Sequence, residues 1–353
     1  MAELTVPVVA LQDFAAAVFA RACLRQDDAQ TIAADLVAAD MRGLASHGVS
    51  RIPMYLERLR RGVVNPQPNV AVHRLWPAAS LVDGDNGMGF LAAHKAVDEA
   101  IDLARQSGVG LVGVRRSTHF GMSALYVKQA SDAGFISLVF TNSSPALPVW
   151  GGRTTFLGAA PFAAGVPGGG EGDYLLDMAM TVIARGKIRL AAKQGLAIEP
   201  GLALDKTGAP TTNASDAFEG VCLPFGGHKG AALAMLMDLL CGVLTGANFG
   251  GEVKSLYFDH SEPQNVGHLV IALRPDLFMP KDEFDQRMNA FTTRVKGLPR
   301  ALGFNEILMP GEPEDRKAAK SLKEGISLPA AVVADLREEA RRLEVAADVL
   351  SAG

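Results

Sequence analysis

The sequence predicts an α/β fold with mixed or parallel strand pairing, and three observations carry that prediction. Between residues 79 and 140 the apolar pattern alternates strand, helix, strand, helix and strand, which builds an α/β layer. The length, 353 residues, exceeds the roughly 250–300 at which single cores stop growing, so two or three packed units are expected. Both ends of the chain carry apolar residues at helical spacing, which predicts amphipathic helices at both termini.

Taken in order, residues 9–25 and 27–42 read as amphipathic helices, the second opened by a capping box of Asp27 and Gln30. A third helix is expected to start near Ser50 as N-cap, because Pro53 is tolerated only in a first turn. Asn65-Pro66-Gln67-Pro68 then marks a break. Strands are predicted at Ala79–Asp83, Gly110–Val114 and Ile136–Phe140, with helices Phe90–Gln106 and Met122–Ala133 between them. Residues 151–173 are loop-rich, and Pro167-Gly168-Gly169-Gly170 followed by Glu171-Gly172-Asp173 reads as a hairpin tip. Ala231–Thr245 is apolar almost all round and predicts a buried helix. A strand at Leu269–Leu273, a charged helix at Lys281–Lys296 and an amphipathic helix from Pro329 follow.

Composition excludes several functions. A net charge of −4 gives no reason to expect nucleic acid or an anionic membrane as partner. Arg58, Arg60 and Arg61 occupy one helical turn and read as a solvated face. Cys23, Cys222 and Cys241 are far apart and in no CxxC spacing, which predicts buried thiols, a reducing compartment and no metal site. Met1-Ala2-Glu3-Leu4 lacks a basic n-region, and the apolar stretch at Ala231 to Gly246 is too short and too polar to span a bilayer, so the cytoplasm is expected.

Chemistry concentrates at Ser46-His47-Gly48-Val49, with Arg51 and Tyr55 four and eight residues beyond the histidine. Histidine exchanges a proton near neutrality, and arginine matches a carboxylate in a bidentate fork. A capping serine and a solvated arginine would explain the same spacing. Gly226-Gly227-His228-Lys229-Gly230 precedes a long helix, so free N–H groups, the positive end of the helix dipole and the Lys229 ammonium converge on any anion. A pyrophosphate fits; a glycine turn with a solvated lysine is the alternative. The spacing is not a Walker A motif. A literal G-x-G-x-x-A at Gly87–Ala92 lacks the acid that a Rossmann site needs about 20 residues on, so it reads as a tight turn with close helix packing. Of the other histidines, His73 and His94 read as surface or satisfied core groups, and His260 and His268 as flanking a polar loop.

Ser46-His47-Gly48-Val49 with Arg51, Thr118-His119-Phe120-Gly121, Asp177-Met178-Ala179, Ala184-Arg185-Gly186-Lys187 and Gly226-Gly227-His228-Lys229-Gly230 together resemble the malate/L-lactate dehydrogenase family that lacks a Rossmann fold. That family includes ureidoglycolate, sulfolactate and diketogulonate dehydrogenases and the piperideine/pyrroline-2-carboxylate reductases. The likeness runs in order from about residue 10 to past Pro310-Gly311-Glu312. It implies a non-Rossmann mixed-sheet dinucleotide-binding fold with a helical N/C-terminal unit. It further implies three units, two of them discontinuous: 1–66 plus about 315–353 (helical), 67–118 plus about 250–314 (substrate and dimer), and 119–249 (cofactor). NAD or NADP is the implied cofactor, a small carboxylate the implied substrate, and a homodimer the implied assembly. Matched position by position, His119, Phe120, Gly121, Met122, Ser123, Ser143, Asp177, Met178, Ala179, His228 and Lys229 line the cofactor cleft, and Pro310, Gly311 and Glu312 close it. Arg51 and Tyr55 bind substrate, with Arg185 and Gly186 as a second contact. Relatives differ over the acid/base: Ser46 with His47 in the imine-reductase branch, His119 in the ureidoglycolate branch.

Hydride transfer to a 2-oxo acid needs a proton source at the carbonyl oxygen, a cation on the carboxylate and a dry wall for the nicotinamide. His47, His119 and Arg51 meet the first two demands. Departures from the family include Ala45 for an acid, Thr118 for asparagine, Gly158-Ala159-Ala160-Pro161 for Gly-Thr-Asn-Pro, and Met180-Thr181 for Thr-Ser. They predict a larger or less polar substrate side chain. Reduction of a cyclic imine 2-carboxylate is the rival activity: His228 stands where hydroxy-acid members carry tyrosine, but Lys187 replaces that branch's relay carboxylate. A ligand-binding protein without chemistry is a third reading.

Overall fold

The computed structural model describes residues 3–170 and 172–351. The chain opens with β1 (Leu4–Val6), α1 (Val8–Arg21) and α2 (Gln26–Met41). Two single 3₁₀ turns, Ala45–His47 and Val49–Arg51, lead into α3 (Ile52–Arg60). Next come β2 (Ala71–Trp76), β3 (Ala79–Asp83), α4 (Gly89–Ser107), β4 (Val109–Ser117), α5 (Ala124–Asp132) and β5 (Ile136–Thr141). The middle of the chain gives β6 (Pro145–Leu147), β7 (Leu157–Gly158), β8 (Phe162–Val166), β9 (Tyr174–Met178), α6 (Arg185–Gln194), β10 (Ala203–Leu204), α7 (Ala214–Glu219) and β11 (Val221–Cys222). Then α8 (His228–Asp238) runs into a π-helical turn, Leu239–Val243. The chain ends with β12 (Val266–Leu273), α9 (Lys281–Lys296), α10 (Glu312–Glu324), β13 (Ile326–Leu328) and α11 (Ala330–Leu343).

One seven-stranded sheet, β2-β3-β4-β12-β5-β8-β9, forms the spine. Its single parallel pair is β3 with β4, bridged by α4 as a strand–helix–strand crossover, and every other pair is antiparallel. The sheet is therefore mixed, as the alternating pattern predicted. Period-two alternation divides the core. Val112, Val114, Val139, Val270 and Ala272 face α4 and α5, while Leu138, Phe140, Leu269 and Ile271 face α8 and the small sheets. Strands from 71–117, 136–178 and 266–273 share this sheet, so the sheet itself has no break at residue 119. The first and last segments form a third core, in which β1 pairs with β13 and α1, α2, α3 and α11 bury Leu11, Phe19, Ile32, Leu36 and Leu336. The predicted hairpin is present: β8 and β9 pair around the glycine run, although Glu171 lies outside the described residues.

Several expectations need correction. Asp27 is not a capping residue; α2 starts one residue earlier from Arg25 without a side-chain cap, and Asp27 and Asp28 favour its first turn through the helix dipole. Ser50 is not the N-cap of α3 either. It lies in the second 3₁₀ turn and donates to the Ala45 carbonyl at 2.6 Å, while Pro53 does sit in the first turn. The helix at 231–245 is not buried: Leu236, Leu239, Val243 and Leu244 stand exposed along one side. Cys23 is exposed, although Cys222 and Cys241 are buried. Arg58 is 1% exposed rather than solvated, and His268 is wholly buried.

Two glycines make close approaches possible. Gly89 packs its backbone on the Thr118 carbonyl, and the Thr118 hydroxyl accepts from Gly89 N at 2.9 Å, which confirms the Gly87–Ala92 segment as a packing turn. Gly267, at a bulge in β12, lies against the Cys241 carbonyl in the π-helical turn, where no Cβ would fit.

Candidate active site

Four side chains from two segments, the 45–60 stretch and the loop after β4, meet at one end of α3. The His47 and His119 rings stack with centroids 5.7 Å apart and planes 22° from parallel. The Tyr55 hydroxyl lies 2.7 Å from His119 Nδ1. Arg51 Nε donates to the Ser46 carbonyl, and Nη1 donates to the hydroxyl of Tyr257, a residue that sequence reasoning missed. The grouping of Ser46, His47, Arg51 and Tyr55 read from spacing is thus assembled, and His119, implied by the resemblance, joins it.

Local structure explains the placement. The Asp40 carboxylate, at the end of α2, accepts from Val49 N at 2.7 Å, and Gly48 allows that approach because a Cβ there would collide with the carboxylate. The 3₁₀ turn bearing Ser46 and His47 is pinned by this contact. Burial raises the Asp40 carboxyl to about 7, against the lowering effect of the Val49 N–H. On the other side, Phe120 is sandwiched between His268 (4.5 Å, 5°) and Tyr126 (4.8 Å, 18°). His268 is held by Thr141 Oγ1 and Ser117 Oγ, each at 2.7 Å, and burial lowers its pKa to about 3. A neutral, hydrogen-bonded imidazole therefore braces the strand of residues that carries His119.

The tautomer of His119 follows from its partners. Gly121 N lies 3.3 Å from Nδ1 and a backbone N–H can only donate, so Nδ1 is an acceptor and the proton of the neutral ring sits on Nε2. Burial first, then Arg51 and His47, hold the His119 pKa well below the usual imidazole range. Burial and then Arg51 lower His47 to about 4. No such donor fixes His47: its Nδ1 meets the rotatable Ser46 hydroxyl at 3.0 Å.

A second group of predicted residues comes together beside β9. The Ser143 hydroxyl accepts from Ala159 N at 3.0 Å, Ala159 O accepts from Met180 N, and Met180 O accepts from Phe225 N. This chain of contacts brings Ser143, the end of the Asp177–Ala179 segment and the start of α8 side by side. At that start Gly226 and Gly227 both take positive φ, and His228 and Lys229 are exposed above the first-turn N–H groups. The donor set is free and cationic, which fits a dinucleotide pyrophosphate. Asp177 accepts from Ala124 N at 2.9 Å at the head of α5.

Other predicted contacts lie elsewhere. Phe120 and Met122 turn their side chains into the core, so only their backbone can border a cleft. Arg185 does not reach the histidine cluster; its guanidinium donates to the Phe218 carbonyl and sits over that ring, with Gly186 beside it on α6. Pro310 accepts from Leu175 N, Gly311 packs on Leu175, and Glu312 pairs with Lys296, which places this segment along β9 two residues from Asp177. Ala160, where the family motif has asparagine, holds φ at 44°, a conformation asparagine tolerates better than alanine. Among the described residues no helix is long and apolar enough to cross a membrane, and no group of three or more His, Cys, Asp and Glu side chains could hold a metal ion.

Comparison with known proteins agrees with this architecture. The malate/L-lactate dehydrogenase family matches residues 6–337. L-sulfolactate dehydrogenase of Methanocaldococcus jannaschii is 38% identical over 313 residues, covering 89% of this chain and 90% of that protein. Ureidoglycolate dehydrogenase (NAD(+)) of Escherichia coli K12 is 36% identical over 308 residues, covering 87% and 88%. The solved sulfolactate dehydrogenase from Methanocaldococcus jannaschii superposes with a TM-score of 0.92 at 34% identity, covering 98% of this chain and 99% of that one. With the mixed sheet, the histidine pair and these matches in place, the chain is a member of the malate/L-lactate dehydrogenase family.

Proposed function

We propose that the protein is a NAD(P)-dependent dehydrogenase that interconverts a small 2-hydroxy acid and its 2-oxo acid. The observation that carries this is the stacked His47–His119 pair with the Arg51 guanidinium at its edge, all held by one 3₁₀–α3 segment and one loop. The dinucleotide, when bound, supplies or accepts the hydride at C2 of the acid. Gly226 to Lys229 and Ser143 would hold it. Arg51 anchors the carboxylate. His119, with its proton on Nε2, donates a hydrogen bond that polarises the carbonyl oxygen. His47 exchanges the proton: an anionic substrate offsets the Arg51 charge and raises His47 from its low empty-site value towards the working range.

The apolar side of α8 and its π-helical turn supports a homodimer. Leu236, Leu239, Val243, Leu244 and Phe249 are all exposed, a patch that a single chain leaves uncovered. Three free cysteines suit a reducing compartment, and we place the enzyme in the cytoplasm. A panel of 2-oxo acids assayed with NADH and NADPH tests the reading, and failure to oxidise either cofactor with any acid refutes it. Light scattering at low micromolar concentration tests the assembly; a fully active monomer refutes that part.

A further inference from the structure

Arg51 is less free than a bidentate anchor should be. Its Nε is committed to the Ser46 carbonyl and its Nη1 to the Tyr257 oxygen, which leaves Nη2 as the nitrogen with both N–H bonds uncommitted. The guanidinium carbon also sits 5.3 Å from the Tyr257 ring centroid. Because Nη1 donates into the phenol oxygen, the phenol proton points elsewhere and has no protein acceptor among the described residues. A donor that itself receives a hydrogen bond from a cation is strengthened by it.

The position of Tyr257 is built rather than incidental. The buried Nη1 of Arg58 donates to the carbonyls of Ser255 and Asp259, each at 3.2 Å, one on either side of Tyr257. Ser255 Oγ accepts from both Tyr257 N and Phe258 N, and Asp259 accepts from Ser261. Arg51, Tyr55 and Arg58 lie four and three residues apart on one face of the same segment. A single helix therefore sets the anchor, the partner of His119 and the clamp on the Tyr257 loop.

We infer that Tyr257 is a substrate-binding residue whose hydroxyl donates to one oxygen of the substrate carboxylate while Arg51 Nη2 holds the other. This rests on the proposed 2-oxo acid activity. The recognition unit is then a mixed guanidinium–phenol pair, suited to a planar carboxylate flanked by an apolar ring.

Oxamate, a non-reacting 2-oxo acid analogue, is titrated into the protein with reduced dinucleotide present, and quenching of the nicotinamide fluorescence is followed. Tyr257→Phe keeps the ring over Arg51 and should weaken oxamate about tenfold, the loss expected for one hydrogen bond to a charged group. KM for the best 2-oxo acid should rise by the same factor with kcat nearly kept, and dinucleotide affinity should not change. Equal or tighter oxamate binding by Tyr257→Phe overturns the inference, because the tyrosine would then only cover Arg51. Loss of binding in Arg51→Lys alongside an unaffected Tyr257→Phe sinks this inference but leaves the activity reading standing. No oxamate binding to the unaltered protein sinks both.

Discussion

Replacing Tyr55 by phenylalanine removes one oxygen and leaves the rest of the site in place. The ring is 2% exposed and packs edge-on to Phe90 at 5.6 Å, and phenylalanine keeps that contact. What disappears is the 2.7 Å hydrogen bond to His119 Nδ1. Gly121 N, at 3.3 Å, becomes the remaining donor to that nitrogen. A buried acceptor left with one long partner costs about 1–2 kcal/mol of stability, a few degrees in Tm for a chain of this size. The catalytic effect comes through the tautomer. The lost bond favours Nε2–H by about 1.4 kcal/mol, so the ratio of Nε2–H to Nδ1–H rings should fall about tenfold, and kcat should fall by up to that factor with KM little changed. Steady-state kinetics give the split between kcat and KM, and ¹⁵N shifts of the histidine rings read the tautomer directly. An unchanged kcat together with an unchanged His119 tautomer would refute the reasoning and leave Tyr55 as a packing residue.

Arg51→Lys keeps the charge but loses the planar fork, and should raise KM for the acid at least tenfold while dinucleotide affinity barely moves; equal losses in both would mean that Arg51 supports the fold. Lys229→Met should weaken dinucleotide binding by roughly tenfold and leave the Tm of the empty protein within about 1 °C, since Lys229 is exposed at a helix start. An unaltered dinucleotide Kd would move the phosphate site elsewhere. Asp40 gives a pH signature. Its folded carboxyl, raised by burial to about 7, binds a proton more tightly than the unfolded one near 3.8, so its contribution to stability is present below about pH 4 and is lost as pH rises through about 7. Asp40→Asn keeps an acceptor for Val49 N–H and should flatten that decline in a Tm series from pH 4 to 8; parallel curves for the two proteins would contradict it.

The sequence carried the site better than the helix ends. Residues 46–55 announced their chemistry because histidine, arginine and tyrosine fall within three turns, and the local chain alone brings them together. The strand–helix alternation from 79 to 140 was legible for the same reason, since period two and period 3.6 are local signals. Helix starts were read less well: Asp27 and Ser50 are good capping residues in isolation, but packing set both helices in other frames. Tyr257, Arg58 and His268 were not found, because each acts on a partner far away in sequence; Asp40 was not found although Val49 lies only nine residues on, because an acid at a helix end reads as solvated until packing encloses it. His268 reads as one histidine in a strand until the fold sets it under Phe120. The apolar run at 231–245 shows the converse failure: composition signals that a surface is to be covered, but not whether the chain itself covers it.

The contact of Gly267 with the Cys241 carbonyl has a mechanical consequence. Helices that slide against a sheet do so by repacking a layer of side chains. Here backbone meets backbone, and Gly267 is further laced by Asn142, whose side-chain oxygen accepts from Gly267 N at 3.0 Å. At that point there is no side-chain layer to repack. The π-helical turn that continues α8 and the bulge in the strand bearing His268 are therefore held at a fixed separation, and alanine at Gly267 should force one of them to shift.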